Sequence, residues 1–131
     1  MTSQQTQTEQ NKALVCQMFN DVWNKGQITA IGTFYAREMV ATTTEFADSL
    51  FTAFAEWQLT IDDVVAEGEQ VAVHWHSTAT HRGAYLGVPA TGKRVAFEGM
   101  SLLRLVGGKI VDDQGFWDDL RIRQELGQDA S

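Results

Sequence analysis

The sequence predicts an α+β domain in which helices pack on one face of a curved antiparallel sheet. Apolar residues recur at three- and four-residue spacings in the first half of the chain, a period typical of amphipathic helices. From Trp57 onwards, apolar and polar residues alternate in short runs joined by glycine-containing turns, which indicates a strand meander. With 131 residues, 44% of them hydrophobic, the chain has enough apolar material for one core. Helices must cover one face of such a sheet if both apolar surfaces are to be buried.

Three helices are predicted before the sheet. The first carries apolar residues at helical spacing between Leu14 and Trp23, and Gly26 ends it. Residues 28–36 form a short second helix, and the third begins after the threonine run at residues 42–44.

Four strands and a closing helix follow. We expect the strands at residues 59–65, 71–80, 95–106 and 109–118, with glycine-containing turns between the first two and between the last two. Residues 120–126 have the pattern of a short helix. The order of elements therefore predicts an antiparallel meander linked by hairpins.

One domain is expected, covering residues 13–127. Residues 1–12 are polar and rich in Gln and Thr, so we expect a flexible arm there, and residues 128–131 form a short tail. The start of the chain has neither the basic residues nor the apolar run of a secretion signal. The single cysteine, Cys16, cannot form a disulfide within the chain. These features favour a cytoplasmic protein.

Charge and hydropathy argue against two classes of partner, nucleic acids and membranes. The chain has 10 basic and 17 acidic residues, a net charge of -7, and no segment concentrates Lys and Arg as a phosphate-binding surface requires. No apolar run approaches the roughly 20 residues that span a bilayer. We therefore expect no nucleic-acid partner and no membrane association.

Residues 87–93 nearly match the phosphate-binding loop G-x-x-x-x-G-K-[ST], but Arg94 replaces the hydroxyl residue that would bind magnesium. Such a loop should open a helix, whereas a β-pattern follows here. The segment is therefore interpreted as a tight connection shaped by Pro89 and Gly92, and nucleotide binding is rejected.

Three histidines lie close together in the sequence. His74 and His76 fall on the same face of one strand, and His81 follows directly after it. An H-x-H pair can chelate a metal, but no carboxylate follows it before Glu98, so we favour histidines on an exposed or pocket-lining strand over a metal site.

The last strand carries a candidate acid-base residue. Gln114, Phe116 and Asp118 share the even face of this strand with Ile110. If that face looks into the interior, a carboxylate among Phe and Trp side chains has a raised pKa that suits general acid-base catalysis. Asp118 could equally cap the helix that starts at Leu120, and periodicity alone favours the cap.

These motifs resemble those of the SnoaL-like polyketide cyclases, or ester cyclases, in the nuclear-transport-factor-two-like superfamily. The segment A-T-H-R-G-A-Y-L-G-V-P-A-T-G-K-R-V-A-F-E-G at residues 79–99 is similar to the family's stretch of the same residue types. The ending G-G-K-I-V-D-D-Q-G-F-W-D-D-L-R-I-R-Q-E-L-G at residues 107–127 is similar to the family's last strand, its aspartate and its leucine-glycine close.

The resemblance implies a cone-shaped domain, of the cystatin-like α+β barrel type, that pairs through its sheet as a homodimer. It places Asp118 where those cyclases carry their acid-base aspartate. The implied reaction is an intramolecular aldol closure of a small hydrophobic carbonyl compound without a cofactor or metal. The chain departs from the family in its short segment after Tyr35 and in Gln114-Gly115, where an aromatic or histidine residue is frequent.

The predicted catalytic residues are thus Asp118, with His76 and Gln114 as helpers. Other functions of the same fold remain open: a non-catalytic protein that binds a hydrophobic ligand, a dimeric adaptor, an isomerase or an enzyme like the epoxide hydrolases. The predicted substrate-binding residues are Trp23, Tyr35, Phe54, Trp57, His81 and Phe116.

Overall fold

The computed structural model describes residues 3–127. The predicted α+β class is confirmed: helices pack on a four-stranded sheet. No helix in the described range is both long and apolar enough to cross a membrane. The elements in chain order are α1 (Ser3–Met18), a π-helical segment (Phe19–Asn24), a 3₁₀ turn (Ile28–Ala30), α2 (Ile31–Phe34), α3 (Arg37–Ala53), β1 (Phe54–Glu67), β2 (Gln70–His81), β3 (Arg94–Val106), β4 (Lys109–Trp117) and α4 (Asp119–Glu125).

The strands form an antiparallel meander in the order β1-β2-β3-β4, as predicted. The pairing of β1 with β2 shifts near Glu56, whose backbone has a φ of 57°, and shifts again between Ile61 and Asp63. Irregularities of this kind bend a strand, which lets a sheet curve around the elements packed on it.

The core lies between the helices and the inner face of the sheet. Alternate residues of β2, from Val71 to His81, are buried, and β3 alternates in the same way. Because side chains on one face of a strand recur every second residue, this pattern sets which groups can face the helices. The most completely buried large side chains are Phe54, Met18, Ile31, Leu103, Ile110, Ile122 and His81.

The second predicted helix, residues 28–36, is a 3₁₀ turn (Ile28–Ala30) followed by the short helix α2 (Ile31–Phe34). Two other helices begin earlier in the chain than predicted. The first helix begins at Ser3, so residues 3–12 are helical where a flexible arm was expected. The third helix begins at Arg37 and contains the threonines of residues 42–44 that were expected to precede it. In both cases a polar stretch continues the helix because its neighbours pack on the core, a tertiary effect that overrides local propensity. Residues 1–2 of the arm and the tail at residues 128–131 lie outside the described residues.

Candidate active site in an aromatic cavity

A cavity of about 510 Å³ opens between α3 and the inner face of the sheet. Every tryptophan of the chain lines it, and the charged side chains in its wall are two carboxylates, Glu38 and Asp113. A concave, mainly apolar site with a few polar groups is typical of small-molecule binding. The lining residues are Phe19, Trp23, Glu38, Met39, Thr42, Thr43, Phe46, Leu50, Trp57, Leu59, Trp75, Phe97, Ser101, Asp113, Gly115 and Trp117.

Asp113 is the partly buried carboxylate of this cavity. Its Oδ2 accepts a hydrogen bond of 2.6 Å from the hydroxyl of Tyr35. Burial raises the pKa of Asp113, the hydrogen bond from Tyr35 lowers it and the neighbouring charge of Asp112 raises it, with a net shift upward. A carboxylate in such surroundings gains basicity while staying able to give its proton back.

Tyr35 owes its position to the end of α2. Its backbone leaves the helix in an extended conformation and forms a parallel bridge with Ile110, the second residue of β4. The ring is 3% exposed, and its hydroxyl points towards Asp113. Burial, followed by the charge of Asp113, raises the pKa of Tyr35 well above its ordinary value. The Tyr35 hydroxyl therefore stays protonated at neutral pH and donates a hydrogen bond to the carboxylate.

Ser101 places a hydroxyl in the same wall. The indole of Trp75 donates a hydrogen bond of 3.1 Å to Ser101 Oγ, which leaves the hydroxyl proton of Ser101 available to another acceptor. Ser101 pairs with Gly115, and Leu103 pairs with Asp113, so Ser101 and Asp113 are diagonal neighbours on the inner face. Diagonal neighbours on adjacent strands lie roughly 7–8 Å apart, a separation that a small ligand could bridge.

The predicted placement of Asp118 in the cavity is wrong. Its side chain is exposed and accepts a hydrogen bond of 3.1 Å from the backbone N–H of Arg121, so it caps α4. Capping was the alternative that periodicity favoured. The structure thus gives Asp118 the cap in place of the catalytic role that the resemblance implied.

Gln114 and Phe116 also lie outside the cavity, on the exposed outer face of the sheet, where Phe116 is 68% exposed. The reason is a β-bulge at Val111. Leu105 pairs with Ile110, but Arg104 pairs with Asp112, so Val111 is an extra residue in β4. Because an extra residue exchanges the two faces of a strand, even-numbered residues after the bulge point outward although Ile110 is buried.

The histidines do not reach the cavity. His76 is exposed on the outer face, and its Nδ1 lies 2.8 Å from Asp62 Oδ2. His74, on the same face, lies 2.9 Å from Glu98, and that hydrogen bond raises its pKa. His81 is fully buried but packs against Phe54 and shares a hydrogen bond with Thr91, outside the cavity lining. The helper roles predicted for His76 and Gln114, and the ligand contact predicted for His81, therefore lose their geometric basis.

The predicted aromatic ligand contacts divide into two groups. Trp23 and Trp57 line the cavity, where their rings pack against each other with centroids 5.8 Å apart. Phe54 is fully buried and does not line the cavity; its ring contacts Trp57, Tyr85 and Phe97. Tyr35 reaches the site through its hydroxyl rather than its ring.

The sequence analysis did not single out Asp113 or Ser101 as site residues. One signal pointed to Asp113: two adjacent residues of a strand face opposite sides, so one of Asp112 and Asp113 has to point inward. Nothing in the sequence marked the bulge that selects Asp113. Ser101 had no signal beyond its position in an alternating strand.

The family model for SnoaL-like polyketide cyclases matches residues 13–126. The chain belongs to this family. Its match to the aklanonic acid methyl ester cyclase DnrD of Streptomyces peucetius is 42% identical over 48 residues, which are 37% of this chain and 33% of that enzyme. This SnoaL-like chain therefore aligns with about a third of the length of that relative.

Solved structures of similar shape cover nearly the whole chain. AclR of Streptomyces galilaeus, named as a hydroxylase, is 27% identical with a TM-score of 0.83, over 92% of this chain and 87% of AclR. A SnoaL-like polyketide cyclase from Jannaschia sp. CCS1 has a TM-score of 0.86 at 21% identity, over 96% of this chain and 95% of that one. The second likeness shows the shared fold, the α+β cone of the SnoaL-like proteins.

Proposed function

We propose that this SnoaL-like protein catalyses an intramolecular aldol closure of a polycyclic keto ester, with Asp113 as the general base and acid. The observation that carries the proposal is the carboxylate of Asp113, half-buried in the aromatic cavity and held by the hydroxyl of Tyr35. Family membership supports cyclase-type chemistry, and a flat aromatic ligand suits walls built from Trp23, Trp57 and Trp117.

In the proposed reaction, the proton that Asp113 removes from the substrate is returned to the product. Asp113 removes the acidic proton between the two carbonyl groups of the substrate, and the resulting enolate carbon attacks a ketone or aldehyde of the same molecule. The new carbon–carbon bond converts that carbonyl into an alkoxide, which takes the proton back from Asp113. The Ser101 hydroxyl donates a hydrogen bond to the enolate oxygen, where negative charge develops. The product is an isomer of the substrate, and the cycle needs only these side chains.

Aklanonic acid methyl ester is the first substrate to test, because it is named in the curated relative. The purified protein should accelerate ring closure, followed by chromatography and mass spectrometry as a product of unchanged mass. If another substrate is preferred, exchange of the acidic carbon-bound proton for deuterium should still be catalysed. The absence of both closure and exchange, in a folded protein that binds the compound, would contradict the proposed function.

Tyr35→Phe tests the link between Tyr35 and the base. The hydrogen bond from Tyr35 lowers the pKa of Asp113, so its removal should raise that pKa further. Because the reaction starts from the ionised carboxylate, the acid limb of the pH–rate profile should move to higher pH. Steady-state rates across the pH range measure this shift. An unchanged acid limb would show that Tyr35 does not control the ionisation of the catalytic base.

We also propose that two copies pair through the outer face of the sheet. This face exposes a patch defined by Val65, Met100, Leu102 and Phe116, which are 65%, 53%, 39% and 68% exposed. Met100 and Phe116 pair directly across β3 and β4, so the patch is continuous. Large exposed apolar patches are rare on monomers, and a two-fold axis would bury the same patch on both copies.

Phe116→Glu should convert the proposed dimer into a monomer, because it places a charge within the patch that pairing would bury on both copies. Analytical ultracentrifugation at micromolar protein measures the mass. Leu120→Glu is the matched control, since Leu120 is 51% exposed but lies on α4, outside the patch. A wild-type protein that sediments as a monomer would refute the pairing.

A further inference from the structure

The charged side chains that line the cavity, among the described residues, are all of one sign. Glu38 and Asp113 are acidic, and no Lys, Arg or His within the described residues lines the wall. Asp113 is half-buried and bonded to Tyr35, whereas Glu38 is exposed, so Glu38 lies at the open side. A ligand that enters the cavity therefore passes a carboxylate that still has capacity to accept hydrogen bonds.

Within the described part of the chain, the carboxylate of Glu38 is unpaired. No ion pair or hydrogen bond connects its side chain to another residue in the range 3–127. It lies on the face of α3 that forms the cavity wall, together with Thr42 and Phe46. An ionised carboxylate only accepts hydrogen bonds, so it favours groups that donate them and repels other carboxylates.

We propose that Glu38 is a specificity-determining residue of the cavity. It selects planar ligands whose outer end carries a hydroxyl or ammonium group, and it disfavours ligands with a free carboxylate at that end. The aromatic walls strengthen the preference for an ammonium group, because cations are attracted to the faces of tryptophan and phenylalanine rings. This role rests on the proposed function, since it requires the cavity to be the ligand site.

The experiment measures binding of three matched probes: 2-(aminomethyl)anthraquinone, 2-(hydroxymethyl)anthraquinone and anthraquinone-2-carboxylate. Since all four tryptophans line the cavity, quenching of tryptophan fluorescence reports on this site. The wild-type protein should bind the amine most tightly and the carboxylate most weakly. Titrations in the Asp113→Asn background remove the second acidic group, so that the remaining preference belongs to Glu38.

Glu38→Gln should lower the ratio of amine to carboxylate affinity by about two- to fivefold, the range of a solvent-exposed charge pair. Glu38→Lys should reverse the order of the two probes. Glu45→Gln is the matched control, because Glu45 is exposed on the same helix but does not line the cavity.

The outcomes separate ligand selection by Glu38 from a structural role of Glu38 in α3 and from catalysis by Asp113. Glu38 also lies in the first turn of α3, where a negative charge stabilises the helix, and a purely structural role would lower the melting temperature without changing the probe order. An affinity ratio unchanged in Glu38→Gln and Glu38→Lys would overturn the proposal while leaving catalysis by Asp113 intact. Failure of all three probes to bind would overturn both the ligand site and this role.

Discussion

Asp113→Asn should lower kcat by about 10²- to 10⁴-fold, the usual contribution of a positioned general base. Asparagine keeps the shape of the side chain and its contact with Tyr35, but it cannot take up a proton from carbon. Turnover or deuterium exchange under saturating substrate measures the loss. The matched control is Asp118→Asn, which removes the acidic residue that the sequence analysis singled out on this segment.

Asp118→Asn should retain the wild-type rate, because Asp118 is exposed and caps α4, and asparagine is an equally good cap. The reverse pattern, with activity lost in Asp118→Asn and kept in Asp113→Asn, would restore the assignment that the family resemblance implied. It would also show that the cavity is not where the chemistry occurs.

Asp113→Asn should not destabilise the fold at neutral pH. The folded-state pKa of Asp113 is raised, so the native state binds its proton more tightly than the unfolded state does. The contribution of Asp113 to stability is therefore largest below its unfolded pKa and is lost as the pH rises through the raised pKa. Thermal unfolding at two pH values separates this effect from a loss of activity through unfolding.

Phe54→Ala should lower the free energy of unfolding by about 3–5 kcal/mol, the range for a buried phenylalanine. Phe54 is fully buried, and its ring contacts Trp57, His81, Tyr85 and Phe97. Urea denaturation followed by circular dichroism measures the change. All variants should be compared at one protein concentration, because the proposed pairing of two copies would make the measured stability depend on concentration.

Phe46→Ala is the matched control for Phe54→Ala. Phe46 is 42% exposed and lines the cavity between Trp23 and Trp117. Its removal should weaken ligand binding and cost about 1 kcal/mol or less of stability, since its ring is only partly removed from water. If Phe54→Ala instead kept full stability and lost ligand affinity, Phe54 would belong to the binding site as the sequence analysis predicted.

The sequence predicted which kinds of side chain form the candidate site but not which residues supply them. A carboxylate on the last strand, an aromatic pocket and a general acid-base role were all expected from the sequence. The family resemblance singled out Asp118, and strict alternation placed Asp118 and Gln114 on the face of Ile110. The bulge at Val111 breaks that alternation, and a bulge has no sequence signature here because no glycine or proline occurs at the position.

Tyr35 shows a second reason why the sequence did not predict the site. Its aromatic character predicted a ligand contact, but its role follows from where α2 ends and from the bridge to Ile110, which bring its hydroxyl to Asp113. The two residues are 78 positions apart in the chain. Such a pair depends on how the helices dock on the sheet, which local pattern does not specify.

The amino-acid sequence alone determined the α+β class, the four-stranded meander and the family, because apolar periodicity and turn residues are local properties that the chain itself carries. Tertiary structure alone decided which carboxylate faces the cavity, which aromatic rings line it and which fill the core. The physical reason is that one extra residue in a strand exchanges its two faces, and only packing against the rest of the protein selects the face that is buried.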